Sequence, residues 1–243
     1  MTLSPDEIVY LTLGPLKVSA TLVFTWVTMA VLVVLSWLAT RNLKVAGAVS
    51  RPQHVAEAVV EFLVDEIEGT MQFDARPYLP FVGTLFLFIA MSNVLSIIPG
   101  YQQPTGSLTT TAALALAVFL AVPAFGVRRV GLRRYLKSYL KPTPFMLPFT
   151  ILGEVTRTLA LAVRLFGNIM SGTVIAAILL SITPLFFPVV MQLFGLLIGV
   201  LQAYIFAVLA MVYIASAASE SERRIEDRGG QGAARPLIEG GTG

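Results

Sequence analysis

The sequence contains no cysteine, a single histidine and few charged residues. Without cysteine the chain cannot form disulfides, thiolate metal sites or a cysteine nucleophile. Because His54 is the only histidine, a multi-histidine metal site is excluded as well, and we expect neither a metal nor a cofactor. Charged residues make up 13% of the 243 positions, whereas a soluble domain carries about 25%. A composition this poor in charge predicts a membrane protein.

Long apolar runs take the place of the missing charges. Hydrophobic residues make up 56% of the chain, and the mean hydropathy is +0.80. Since a membrane helix needs about 20 such residues, the chain is predicted to be an all-α polytopic membrane protein, with a single integral membrane domain over residues 1–243. About five membrane helices are expected, at residues 18–40, 79–98, 109–126, 150–181 and 188–218.

The last two runs are longer than a membrane requires. At about 31 residues and 1.5 Å per residue, each helix is roughly 47 Å long. The hydrocarbon core is only about 30 Å thick, so both helices must tilt. We therefore expect a long, tilted helical hairpin at the C-terminal end.

Charges around the first span indicate its orientation. Asp6 and Glu7 precede the span, while Arg41 and Lys44 follow it directly. By the positive-inside bias, the N-terminus lies outside and residues 41–76 lie in the cytoplasm. The expected location is a bacterial inner membrane.

Two later segments agree with this orientation. Residues 128–137 carry five positive charges and no acid, which is typical of a cytoplasmic loop that contacts anionic lipid. The C-terminal tail, residues 219–243, is also expected in the cytoplasm, with disorder from about Gly229 because of its glycine content.

Residues 54–72 differ from the membrane helices because acidic residues recur along one face, with apolar residues over much of the rest. This pattern predicts an amphipathic helix that lies at the cytoplasmic interface. The acidic face is either simply solvated or a contact surface for soluble partner subunits. Its residues are Glu57, Glu61, Asp65 and Glu68.

Arg164 is the most informative residue of the chain. It lies within an apolar run, and no charged residue follows it until Glu220. A charge at the centre of a membrane helix costs at least about 2.5–3.5 kcal/mol. The nearest preceding acid, Glu154, lies roughly 15 Å away along a continuous helix. A counter-ion must therefore come from a distant helix or from another subunit.

Other polar residues accompany Arg164. Arg157, Arg164 and Ser171 are spaced by seven and lie on one side of the helix, with Asn168 one turn beyond Arg164. Glu154 can pair with Arg157 three residues later. On the last helix, Gln202 is expected near the depth of Arg164, because both are similarly far from the turn of the hairpin.

The motif Arg164-Leu165-Phe166-Gly167-Asn168, together with the later run Leu201-Gln202-Ala203-Tyr204-Ile205-Phe206, resembles subunit a of the rotary F-type ATP synthase. Upstream, Ser92-Asn93 and Ile98-Pro99-Gly100 are similar to the same family. The resemblance covers about residues 55–218 and implies a stator subunit without an active site of its own. The implied partners are a ring of c subunits, the peripheral-stalk subunit b, the other synthase subunits and membrane lipids; no nucleic acid is expected.

The resemblance also implies roles for individual residues. Arg164 would face the c-ring carboxylate and separate two aqueous half-channels, through which H⁺ or Na⁺ passes. Where many relatives carry ionisable groups, this chain has Thr173, Gly195 and Ser107, which favours a water-filled route over a relay of titrating side chains. The residues implied to line the half-channels or to support Arg164 are Asn168, Gln202, Glu154, Arg157, Ser171, Thr173 and Ser107.

A different class of function remains open from the residues alone. A stand-alone secondary transporter would use Arg164 to bind an anionic substrate. Such transporters show internal repeats with broken helices in matching places of two halves, and this sequence contains no such repeat. A purely structural membrane anchor would not explain why a charged residue, Arg164, lies within an apolar helix.

Overall fold

The computed structural model describes residues 9–13, 16–41, 51–71, 74–98, 100–133, 147–182 and 187–233. Strands β1 (Val9–Leu13) and β2 (Leu16–Ser19) pair antiparallel. The helices are α1 (Ala20–Thr40), α2 (Arg51–Met71), α3 (Leu79–Leu95), α4 (Leu108–Val130), α5 (Leu147–Ile182) and α6 (Phe187–Ala233). A short 3-10 turn, Pro104–Gly106, precedes α4.

Apart from the short β1–β2 hairpin, the all-α polytopic membrane fold is confirmed for the described part of the chain. Four helices there, α1, α4, α5 and α6, are long and apolar enough to cross a membrane, and α3 is a shorter apolar helix of 17 residues. Helices suit this environment because they satisfy every internal backbone group within one segment, where lipid offers no hydrogen-bonding partner.

The β1–β2 hairpin was not predicted. Val9, Tyr10 and Thr12 favour extended backbone, and residues 16–19 pair with that strand before the first helix begins. Helix α1 therefore starts at Ala20 rather than at residue 18.

Several helix ends also differ from the expected ones. Helix α2 begins at Arg51, α3 ends at Leu95 and α4 continues to Val130. Arg128 and Arg129 lie in the last turn of α4, where positive charge is favourable against the helix dipole. Helix α5 begins at Leu147, with Pro148 in its first turn, a position that tolerates proline.

The largest difference is the length of α6. The helix runs through the expected end at residue 218 and through Gly229 to Ala233, so the tail is helical where disorder was expected. Residues 220–228 are rich in Glu and Arg, which are strong helix formers, and this outweighs the glycines that follow. The rest of the tail, most of the basic loop after residue 133 and the hairpin turn at 183–186 lie outside the described residues.

Helix α6 is the centre of the packing and contacts α2, α3, α4 and α5. One buried cluster joins α3, α4, α5 and α6, with Phe88, Val118, Leu165 and Phe206 among its members. A second cluster lies around the middle and end of α6 and brings in the amphipathic helix α2. It consists of Ile67, Ala75, Tyr78, Val82, Val122, Ala207, Met211 and Ile214.

Helices α3 and α6 approach each other closely where Asn93 meets Gly199. Asn93 is 2% exposed, and its Nδ2 donates to the Ile89 carbonyl oxygen (2.7 Å) and to the Gly199 carbonyl oxygen (3.1 Å). A Cβ atom at position 199 would lie 2.5 Å from Asn93 Cγ. Only glycine therefore permits this contact without moving one of the helices.

Replacing Gly199 with Ala should destabilise the protein. Gly→Ala in a helix ordinarily stabilises by about 0.5–1 kcal/mol, but overpacking costs about 1–3 kcal/mol, so the net change should be a loss. The measurement is the thermal unfolding midpoint of the purified complex in detergent.

Gly195→Ala is the matched control for Gly199→Ala. It lies on the same helix, and a Cβ there meets nothing within 4 Å, so its midpoint should stay the same or rise. Equal midpoints for the two variants would contradict the close approach of α3 and α6.

Candidate ion-coupling site

Arg164 is exposed on α5, whereas Leu161 and Leu165, to one side of it on the same helix, are buried. Its guanidinium makes no hydrogen bond and no ion pair with any residue that the structure describes. The charge is thus presented outward from an apolar helix. This is the arrangement expected of a group whose partner belongs to another molecule.

The exposed face of α5 around Arg164 consists mainly of small residues. Small side chains and arginines alternate along this face at helical spacing, and all of them are exposed: Gly153, Arg157, Ala160, Arg164, Gly167 and Ser171. Small residues allow a second helix to approach closely in a membrane. The face can therefore receive a neighbouring helix at short distance from Arg164.

Arg157 connects α5 and α6. Its Cζ lies 5.8 Å from the ring centroid of Tyr213 on α6, a cation–π contact. Arg157 also lines a small pocket together with Glu154, Thr158 and Tyr213. The structure thus brings two of the predicted residues, Glu154 and Arg157, to one place between α4, α5 and α6.

Gln202 lies within the packed region of α6 but does not contact Arg164 through a hydrogen bond. It is 5% exposed, and its Nε2 has no hydrogen-bond partner among the described residues. Its neighbour Ala203 and Arg164's neighbour Leu165 belong to the same buried cluster. Each residue thus has a chain neighbour in one buried cluster, but the structure describes no hydrogen bond between Gln202 and Arg164.

The remaining predicted residues on α5 use their hydroxyl groups locally. Ser171 Oγ donates to the Asn168 carbonyl oxygen (3.0 Å), and Thr173 Oγ1 donates to the Met170 carbonyl oxygen (2.8 Å). Asn168 is half-buried, whereas Ser171 and Thr173 are exposed. Each hydroxyl keeps its oxygen lone pairs available to water.

Ser107 is fully buried at the start of α4. Its carbonyl oxygen accepts from the backbone N–H of Thr111 (3.1 Å). The neighbouring Gly106 is close to α5, since a Cβ on it would lie 3.3 Å from Ile169 Cγ2. The turn before α4 therefore lies beside the part of α5 that carries Asn168.

A buried group of polar side chains at this end of the bundle was not predicted. The Tyr101 hydroxyl shares a hydrogen bond with Thr28 Oγ1 (2.6 Å) and a second one with Ser92. Ser92 Oγ in turn is 3.3 Å from Thr105 Oγ1. Burial raises the pKa of Tyr101 above its ordinary value of 10.0, so the phenol stays protonated.

Sequence reasoning noted Ser92 only within a motif, because isolated hydroxyl residues in apolar runs give no periodic signal. It also missed Glu66 on α2, whose carboxylate accepts a hydrogen bond from Tyr204. Among the described residues, no group of three His, Cys, Asp or Glu side chains is arranged to hold a metal ion.

The apolar helices and the outward-facing arginine define a multi-pass integral membrane protein. The family model described as "ATP synthase A chain" matches residues 22–215. The chain is 56% identical over 226 residues to "ATP synthase subunit a 2" of Acaryochloris marina, covering 93% of this chain and 97% of that protein. It is 50% identical over 244 residues to "ATP synthase subunit a" of Nitrosospira multiformis, covering 99% and 97%. The protein belongs to the ATP synthase A chain family.

Replacing Gln202 with Leu should not lower stability. The amide Nε2 is buried without a partner, and removing an unpaired buried polar group is neutral or stabilising. Thermal unfolding in detergent measures this, with Asn93→Leu as the comparison because the Asn93 amide is paired. A large loss of stability for Gln202→Leu would show that the amide has a partner in the protein.

Proposed function

We propose that this chain is the ion-translocating stator subunit of an F-type ATP synthase, and that Arg164 faces the carboxylates of a rotating c-ring. The observation that carries the proposal is the position of Arg164, exposed on an apolar helix and unpaired within the described residues. Such a charge is costly unless a partner arrives to meet it. Family membership supports the same role.

Electrostatics explain what Arg164 would do to an arriving carboxylate. Opposite charges attract more strongly at the low effective dielectric of a helix interface than in water. A nearby cation also lowers the carboxylate pKa, which favours release of a bound proton. Arg164 would thus draw each carboxylate into its ionised form, after which the released ion leaves by one aqueous route.

The small residues beside Arg164 support close contact with the ring. Ala160 and Gly167 lie one turn before and one turn after the arginine on the exposed face. A helix of the ring could therefore pack near the α5 backbone, within reach of the guanidinium. Larger residues there would hold the carboxylate away and weaken the interaction, which falls with distance.

Two aqueous routes would connect the ring to the two sides of the membrane. On the outer side, Ser107, Asn168, Thr173 and Gln202 offer neutral oxygen and nitrogen atoms that can order water without binding a proton permanently. On the inner side, Glu154 and Arg157 line the pocket between α4, α5 and α6, whereas Ser171 lies between Asn168 and Thr173 on α5 and belongs with the outer route. Arg164 would block direct passage between the routes by repelling cations.

We also propose an orientation in the membrane, a location and further partners for the chain. The N-terminus would lie outside and the C-terminus in the cytoplasm of a bacterial inner membrane, with subunit b and the soluble subunits as further partners. The transported ion is H⁺ or Na⁺, selected by the carboxylate site on the c subunit.

Arg164→Ala should abolish ion-driven ATP synthesis while the complex still assembles. Arg164→Lys should also fail largely, because a compact ammonium does not reproduce the planar, always-charged guanidinium. ATP synthesis in inverted vesicles is the measurement, with assembled complex quantified from detergent extracts.

Arg128→Gln is the control for the Arg164 variants. Arg128 belongs to a redundant group of positive charges at the end of α4, so its loss should leave synthesis close to that of the wild type. If Arg164→Ala retains half of the wild-type synthesis, the proposed role of Arg164 is wrong.

A further inference from the structure

A carboxylate on the amphipathic helix α2 reaches the membrane helix α6. The hydroxyl of Tyr204 donates a hydrogen bond to Glu66 Oε1 at 2.8 Å. Tyr204 lies in the apolar part of α6, two residues after Gln202. Ionisable groups that pair with residues of membrane helices often mark ion pathways.

The Tyr204–Glu66 contact lies near the level of Arg164. The cation–π contact sets Arg157 on α5 opposite Tyr213 on the antiparallel α6. Seven residues after Arg157 is Arg164, and seven residues before Tyr213 is Phe206, so these two lie at a similar level. Tyr204 is two residues from Phe206, or about 3 Å along the helix axis at 1.5 Å per residue. The backbone of Tyr204 is thus within one helical turn of the level of Arg164.

Packing around Glu66 holds its carboxylate in place. The next residue, Ile67, is fully buried in the cluster that contains Ala207 and Met211 of α6. The ring of Phe62 lies 6.2 Å from the ring of Tyr204. Glu66 is half-buried, whereas the four acids of the predicted acidic face of α2 are exposed. Glu66 therefore differs from its acidic neighbours in both its burial and its partner.

We propose that Glu66 is an ion-exchange group of the inner aqueous route, a role that rests on the proposed function of Arg164. Its carboxylate takes a monovalent cation from the cytoplasmic side and releases the same cation toward the space beside Arg164, or the reverse. A proton binds by forming an O–H bond on the carboxylate and a sodium ion by electrostatic contact. Tyr204 positions the carboxylate by its hydrogen bond.

The side of the membrane follows from the charges near α2. Arg41 and Lys44 precede this helix, which places it on the cytoplasmic side by the positive-inside bias. On the outer route, Ser107 and Thr173 are neutral. Glu66 would thus give the inner route a titratable group that those outer positions do not supply.

Two variants separate ion exchange from a purely structural bond. Glu66→Gln keeps an oxygen that accepts the hydrogen bond from Tyr204 but removes the charge, whereas Tyr204→Phe removes the bond but keeps the carboxylate. If Glu66 exchanges ions, Glu66→Gln should lower ATP synthesis in inverted vesicles by about 100-fold or more, and Tyr204→Phe should lower it less. Glu66→Asp should retain most of the synthesis.

The opposite order would overturn the inference. A Glu66→Gln protein as active as the wild type, with Tyr204→Phe impaired, would show that the contact only fastens α2 to α6. Glu68→Gln is the matched control, since Glu68 is exposed two residues further along α2, and it should leave synthesis unchanged. Assembled complex is quantified for every variant.

The transported ion and the proposed function are tested in the same vesicles. ATP-driven transport is followed with a pH-sensitive dye for H⁺ and by uptake of labelled sodium for Na⁺. The wild type should be active in one of these assays, and Glu66→Gln should lower the transport rate in that same assay. Arg164→Ala runs in parallel. Loss of synthesis in Arg164→Ala together with wild-type transport in Glu66→Gln would reject the role of Glu66 and leave the function of Arg164 intact.

Discussion

The arrangement of this protein depends on the contact between Asn93 and Gly199. An unpaired amide inside a membrane bundle is costly, since lipid offers no hydrogen bonds, and Asn93 pairs with carbonyl oxygens of both α3 and α6. The missing side chain at Gly199 allows α6 to come within reach of that amide. Gln202 and Tyr204 follow within the next two turns of α6, so their positions are set by the same contact.

Two kinds of polar group in the described residues contrast with each other. Thr28, Ser92, Tyr101 and Asn93 are paired with one another or with backbone inside the bundle, and this makes the interior rigid and specific. Arg164 is unpaired and faces outward. The interior groups are thus satisfied by one another or by the backbone, while the guanidinium of Arg164 makes no hydrogen bond or ion pair with any described residue.

The fold was largely predictable, because a membrane requires long apolar helices and the charge-free runs are plain in the sequence. Arg164 was predictable for the same reason, since a lone charge contrasts with its surroundings. The outward direction of its side chain and the lack of a hydrogen bond to Gln202 were not predictable, because both depend on how α5 is rotated against its neighbours. Gly199 and Glu66 were missed because a close contact and a cross-helix hydrogen bond are tertiary properties. The length of α6 was underestimated because the glycines after residue 228 favour disorder, whereas the Glu and Arg residues before them favour helix.

The hydrogen bond between Thr28 and Tyr101 joins residues 73 positions apart in the chain. At a synthesis rate of about 5–20 residues per second, Thr28 is synthesised about 4–15 s before Tyr101. The bond between α1 and the α3–α4 loop can therefore form only several seconds after α1 has been made. Little of the strongly apolar surface of α1 is covered by other helices, so α1 can lie in lipid before this bond forms.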